Sequence, residues 1–226
     1  MERCKDYLVE EPELRRGNWR REGRALLLEI GCGKGSFTCA LAAEEADADL
    51  VAIEKVPDAM ILAMERASAS GLRNVCFLDF DAARLPEIFE AGEVDRIYIN
   101  FCDPWPKSRD AKFRLTAPSF LRRYAYLLPP GGVIQFKTDN LPLFDWSVNQ
   151  FLEEGWDLIE ITRDRHADGQ KGILTDYEIR FLQEQGPIKY LCAVKTAGTK
   201  DLAAGEPPRL RDAALSDARA RQEGVR

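Results

Sequence analysis

Short apolar runs alternate with helix-period segments from residue 25 to residue 195, and this alternation fixes the fold class before any motif is considered. Ala25–Ile30 is a continuous apolar strand broken by Gly31-Cys32-Gly33-Lys34-Gly35, after which Ser36 is placed to cap a helix reaching about Ala46. Residues 49–53 form a second strand. Pro57 opens a second helix, with Met60, Ile61, Met64 and Ala67 at helical spacing and Gly71 as its stop. Further strands are expected at 74–80, 94–101, 133–137, 156–161 and 187–195, with helical stretches at 82–91, 116–128, 141–154 and from about Thr175. Strands and helices in that rhythm make right-handed βαβ crossovers, so the chain is predicted to be α/β, a mostly parallel seven-stranded sheet with helices on both faces.

A chain of 226 residues with 45% apolar content supports one good core. Residues 1–24, rich in Arg15, Arg16, Arg20, Arg21 and Arg24, are expected to be an irregular basic arm without a core of its own. Residues 196–226 hold few large apolar groups and are expected to be a disordered tail, with a transient surface helix over 209–222. The net charge of −6 argues against a globally basic nucleic-acid coat but allows a local basic face. Six cysteines show neither C-x-x-C pairs nor metal-ligand spacing, pointing to a reduced, metal-free protein. With no apolar signal core and no membrane-length segment, a cytoplasmic location is expected.

The strand ends carry the chemistry. A glycine-rich turn after a first strand admits a ligand close to the backbone. Here the pattern is G-x-G-x-G (Gly31, Gly33, Gly35), with Ser36 where the dinucleotide fingerprint has its third glycine, so a nicotinamide cofactor is disfavoured. Glu29, one residue inside the strand before the turn, gives a pyrophosphate nothing but offers an α-amino group and a sulfonium a charge-assisted contact. Glu54 ends the second strand and suits a bidentate grip on ribose hydroxyls. Asp81 ends the third and can accept from an adenine amino group. These acids on successive strand ends describe a site for S-adenosylmethionine.

The fourth strand runs into Asn100-Phe101-Cys102-Asp103-Pro104-Trp105-Pro106-Lys107, a loop that two prolines make stiff. Together with Leu28-Glu29-Ile30-Gly31-Cys32-Gly33-Lys34-Gly35, Phe136-Lys137-Thr138-Asp139-Asn140 and Thr175-Asp176-Tyr177-Glu178, in that order, it resembles the bacterial tRNA (guanine-N7)-methyltransferases over most of residues 25–195. The resemblance implies a single Rossmann-like class I methyltransferase domain that methylates N7 of a tRNA guanosine in the variable loop. It implies cofactor contacts at Glu29, Glu54, Asp81 and Asp103, with Asp103 as the catalytic position. Substrate contacts are implied at Lys107, Asp139, Thr175, Tyr177 and Glu178, and RNA contacts at Arg109, Lys112 and Arg114. The chain departs from the family pattern at Asp110, where a histidine is common, and at Phe113, where a basic residue is.

The residues make the same chemical sense on their own. Guanine N7 carries a lone pair and no proton, so alignment and electrostatics suffice for methyl transfer. Asp103 is suited to accept from guanine N1–H and the exocyclic amine, with either Asp139 or Glu178 sharing that task. Lys107 is suited to a phosphate or O6. Lys107, Arg109, Lys112, Arg114, Arg122 and Arg123 against Asp110 make a basic patch, to which Arg15–Arg24 would add. Trp105 either stacks on an everted base or packs, and His166 is expected at the surface. Two rival readings remain: an amino-group (adenine N6-type) methyltransferase, which also follows its fourth strand with a proline–aromatic loop, and a cofactor-binding tRNA module without turnover. The sequence leaves monomer or homodimer open.

Overall fold

A computed structural model describes residues 2–183 and 186–202. Its centre is a sheet of β1 (Ala25–Ile30), β2 (Ala48–Ile53), β3 (Val75–Leu78), β4 (Arg96–Asn100), β5 (Val133–Thr138), β6 (Asp157–Thr162) and β7 (Lys189–Val194). The strand order is β3-β2-β1-β4-β5-β7-β6, parallel throughout except for β7, which runs antiparallel to both its neighbours. The predicted α/β sheet is therefore present.

Alternate side chains of each strand feed two cores, as a pleat with period two requires. Leu26, Leu28 and Ile30 of β1 join the core beneath α3 (Leu85–Ile88), α4 (Pro118–Leu127) and α5 (Leu141–Glu153). Leu27, between them, joins the core beneath α1 (Ser36–Glu44) and α2 (Pro57–Ala69), where Phe37, Met60 and Met64 meet it. A sixth helix, α6 (Asp176–Gln183), lies at the carboxyl ends of the strands. Among the described residues no helix is long and apolar enough to cross a membrane.

Four expectations change in detail. Ser36 is the first helical residue and not the cap; Gly35 occupies the cap position at φ +74°. A Cβ on Gly35 would lie 2.6 Å from the Ala63 Cβ, so α1 and α2 approach through a position only glycine fills. The helical stretch at 82–91 shrinks to a 3-10 turn, Ala82–Arg84, and the single turn α3, because the chain goes extended at Phe89.

The N-terminal arm has no core of its own, but it is docked onto the domain. Trp19 is buried in the main core and donates its indole N–H to the Ile88 carbonyl at 2.6 Å. The Glu93 carboxylate receives the Gly17 and Trp19 amides, each at 3.1 Å. Arg21 and Arg24 both bind Asp49, Arg20 pairs with Asp95, and Arg16 pairs with Glu90. These arginines hold the arm down instead of extending a basic surface.

The expected disorder from residue 196 does not begin there. Thr196 and Thr199 donate their hydroxyls to the Gly155 carbonyl, and the Lys200 amide bonds to the Glu154 carbonyl at 2.9 Å. Residues 203–226, including the expected helix at 209–222, lie outside the described residues.

Candidate active site

The order of strands reverses between β1 and β4, and ligands of open α/β sheets bind outside the carboxyl ends at such a point. A cavity of about 1040 Å³ opens there. The turn after β1, the end of β2, the residues after β3, the loop after β4 and the first turn of α6 all line it. Glu29, Gly31, Gly33, Glu54, Asp81, Asp103, Lys112, Thr175 and Tyr177 share this wall. Residues expected from five separate segments of the chain therefore converge.

Glu29 sits at the base, 1% exposed, with Oε2 accepting from the Thr38 hydroxyl at 2.5 Å and Oε1 from the Asn100 amide at 3.1 Å. Burial pushes its carboxyl up to about 7, against the pull of those two bonds and the Lys137 charge. Glu54 is held by three backbone amides: Gly33 to Oε2 at 2.8 Å, and Lys55 and Val56 to Oε1 at 2.8 and 2.9 Å. Gly31 and Gly33 have open space where a Cβ would stand, so their backbone faces the cavity bare. Asp81 caps the following turn through the Ala83 amide and pairs with Lys55 Nζ at 3.0 Å, so a ligand amine must share it.

The loop after β4 presents Asp103 to solvent and to the cavity. Phe101 and Trp105 flank it at φ +54° and +42°. Left-handed backbone costs a residue with a Cβ about 1–2 kcal/mol, and two such residues around one carboxylate mark a shape that the surroundings impose. Trp105 packs against Phe113, ring centroids 5.4 Å apart, while Phe101 packs against Tyr177 at 4.9 Å. Phe113 thus walls the cavity beside Trp105.

Other expected contacts stand differently. Lys107 and Arg109 are exposed and do not line the cavity, whereas Lys112 does, its ammonium over the Phe113 ring. Arg114 is turned inward onto the Pro104 and Trp105 carbonyls. Asp139 is set back behind Tyr177, whose hydroxyl donates to its Oδ2 at 2.9 Å. Glu178 is fully buried and is not presented to a substrate. It is half of a capping box at the start of α6: the Thr175 hydroxyl accepts from the Glu178 amide at 2.9 Å, and the Glu178 carboxylate accepts from the Thr175 amide at 3.2 Å.

The carboxylate also binds Lys137 Nζ and His166 Nε2, at 2.8 and 2.7 Å. His166 is not the surface residue expected; its side chain is 7% exposed. Its Nδ1 accepts from the Lys171 amide at 3.1 Å, so Nε2 carries the proton and donates to Glu178. Lys137, buried between Glu178 and the Phe37 ring, has its ammonium pKa lowered by desolvation, which Glu178 opposes. The sequence alone singles out no role for Thr38, Asn100 or Lys137, although a lysine inside an apolar strand was an available signal.

With this geometry the relatives of the chain become informative. A family model described as "Putative methyltransferase" matches residues 23–191. The tRNA (guanine-N(7)-)-methyltransferase of Lachnoclostridium phytofermentans is 41% identical over 84% of this chain and 91% of its own length. That of Exiguobacterium is 40% identical over 86% and 92%. The chain belongs to the tRNA (guanine-N7)-methyltransferase family. Among solved structures, the 16S rRNA methyltransferase KamB covers 83% of this chain and 92% of its own with a TM-score of 0.59, and at 18% identity it shares the fold alone. Against that family background, Asp110 of this chain is 9% exposed, and Phe113 spends its ring on Trp105.

Proposed function

We infer that this family member transfers the methyl group of S-adenosylmethionine to N7 of a guanosine in tRNA, in the variable loop by family resemblance. The observation that carries the reading is that Asp103, on its rigid loop, opens into the same cavity as Glu29 and Glu54. The residues present fit the cofactor: Glu29 for its ammonium, the bare backbone at Gly31 and Gly33 for close approach, Glu54 for the ribose and Asp81 for the adenine amine. Bound there, the adenosyl sulfonium supplies an electrophilic methyl group.

The chain's own residues align the acceptor. Because guanine N7 would react through its own lone pair and bears no proton, these residues need supply no general base. Asp103 accepts from the guanine N1–H and amine and opposes the positive charge that grows on the ring. Lys107, Arg109 and Lys112, exposed on and after the proline loop, take phosphates, and affinity for tRNA falls with salt. A tRNA substrate agrees with the cytoplasmic location expected from the sequence.

The test is to incubate the protein with labelled S-adenosylmethionine and bulk tRNA, digest, and identify the labelled nucleoside. Labelled 7-methylguanosine is the expected product. N6-methyladenosine would select the amino-group reading, and retention of tRNA without label would select a module lacking turnover.

A further inference from the structure

We propose that Arg114 is a positioning residue, a brace that holds the Asp103 loop in its left-handed conformation, and not a phosphate contact. The inference rests on the proposed role of that loop.

The guanidinium grips two consecutive carbonyls of the loop. Nε donates to the Pro104 carbonyl at 2.9 Å and more weakly to that of Trp105 at 3.3 Å, while Nη2 donates to the Trp105 carbonyl at 2.9 Å. The guanidinium also lies over the ring of Trp146 of α5, its central carbon 4.4 Å from the ring centroid. Arg114 itself is only partly exposed, unlike Arg109, whose side chain is 73% exposed. A planar fork can satisfy two adjacent acceptors and lie flat on an indole at once, which a lysine cannot.

The position of the grip gives it its consequence. Pro104 and Trp105 follow Asp103 directly, and Trp105 is one of the two left-handed residues. Carbonyls turned by such a backbone need donors where an extended chain would not present them. Arg114 supplies those donors from ten residues along the chain, and Trp146 ties the assembly to the rigid core through α5. The Trp105–Phe113 ring contact closes the loop from the neighbouring residue. Loss of the fork frees the two peptides to relax, and Asp103 moves with them; a displacement of about 1 Å at an aligning group costs on the order of 100-fold in rate.

The experiment compares wild type, R114Q, R114K and W146L for kcat, KM for tRNA and its salt dependence, cofactor affinity by calorimetry, and thermal unfolding. The brace predicts kcat about 100-fold lower in R114Q. It also predicts partial recovery in R114K and a smaller fall in W146L, with cofactor affinity and the salt slope of tRNA binding within about twofold of wild type. A raised KM with a shallower salt slope and unchanged kcat would make Arg114 a phosphate contact and overturn the proposal. Unchanged kcat in both arginine variants would also overturn it. Should R114Q fail to fold, R114K decides: wild-type kcat in R114K overturns the brace, because one ammonium cannot reproduce the fork. If wild type itself yields no 7-methylguanosine, the functional reading fails, whereas working wild type with equally working variants fails the brace alone.

Discussion

Lys137 and Glu178 are joined at 2.8 Å across 41 residues of sequence, with side chains 9% and 0% exposed. The pair pins α6, and with it Thr175 and Tyr177, to the strand beside the cavity. Removing one partner leaves a buried charge without its counterion, which costs about 3–5 kcal/mol. Urea unfolding of E178A and K137M should each show a loss of that size, and the K137M/E178M double variant should recover part of it. A Glu178 that merely touched substrate would lower turnover and leave the unfolding midpoint where it was.

Gly35 and Gly33 stand two residues apart and answer to different constraints. Gly35→Ala drives a Cβ into Ala63 at φ +74°, so α1 must move; a stability loss of about 2–3 kcal/mol is expected by denaturation. Gly33→Ala meets no atom within 4 Å and costs only the backbone strain, about 1 kcal/mol. Its added methyl enters the cavity, so cofactor affinity by calorimetry should fall more than stability does.

If Glu29 holds the cofactor ammonium as proposed, cofactor binding should depend on pH. Its folded pKa, about 7, lies above the model-peptide value, so the free protein still holds the proton at pH 6. An arriving ammonium would favour the carboxylate, so binding should release that proton and affinity should rise with pH up to about 7 and level above it. Calorimetry in buffers of different ionisation heat should detect the released proton, and Glu29→Gln should flatten the profile. For the cofactor-free protein the sign is opposite. The native state binds the proton more tightly than the unfolded chain, so stability is greatest below the unfolded pKa and declines as pH rises through about 7.

Asp103→Ala should lower kcat by about 100- to 1000-fold while calorimetric cofactor affinity changes little, because Glu29, Glu54 and the glycine turn remain. Equal losses of cofactor binding and turnover would move Asp103 from acceptor alignment to cofactor retention.

Trp19→Ala empties a position in the main core and removes the donor to the Ile88 carbonyl, for an expected loss of about 3–5 kcal/mol in urea unfolding. An arm that only draped over the surface would give a loss under 1 kcal/mol.

Much of this molecule is legible in its letters. The strands are legible because unbroken apolar runs such as Leu26-Leu27-Leu28 serve two cores at once, and the acids at Glu29 and Glu54 because they terminate such runs. What stays hidden is whatever long-range partners decide. Thr175-Asp176-Tyr177-Glu178 reads equally as substrate contact or helix start, and only Lys137 and His166, brought from elsewhere, show Glu178 facing inward. The arginines of the arm read as basic surface until Asp49, Asp95 and Glu90 claim them. No local signal announces left-handed backbone at Phe101 and Trp105, since neither residue favours it.

Those two dihedrals bear on any attempt to transplant the Asn100–Lys107 octapeptide into a foreign scaffold. Cut loose, the segment would relax towards extended, polyproline-like geometry, and its carboxylate would aim elsewhere. The letters would travel without their shape, so a workable graft must also carry whatever held Pro104 and Trp105 in place at home.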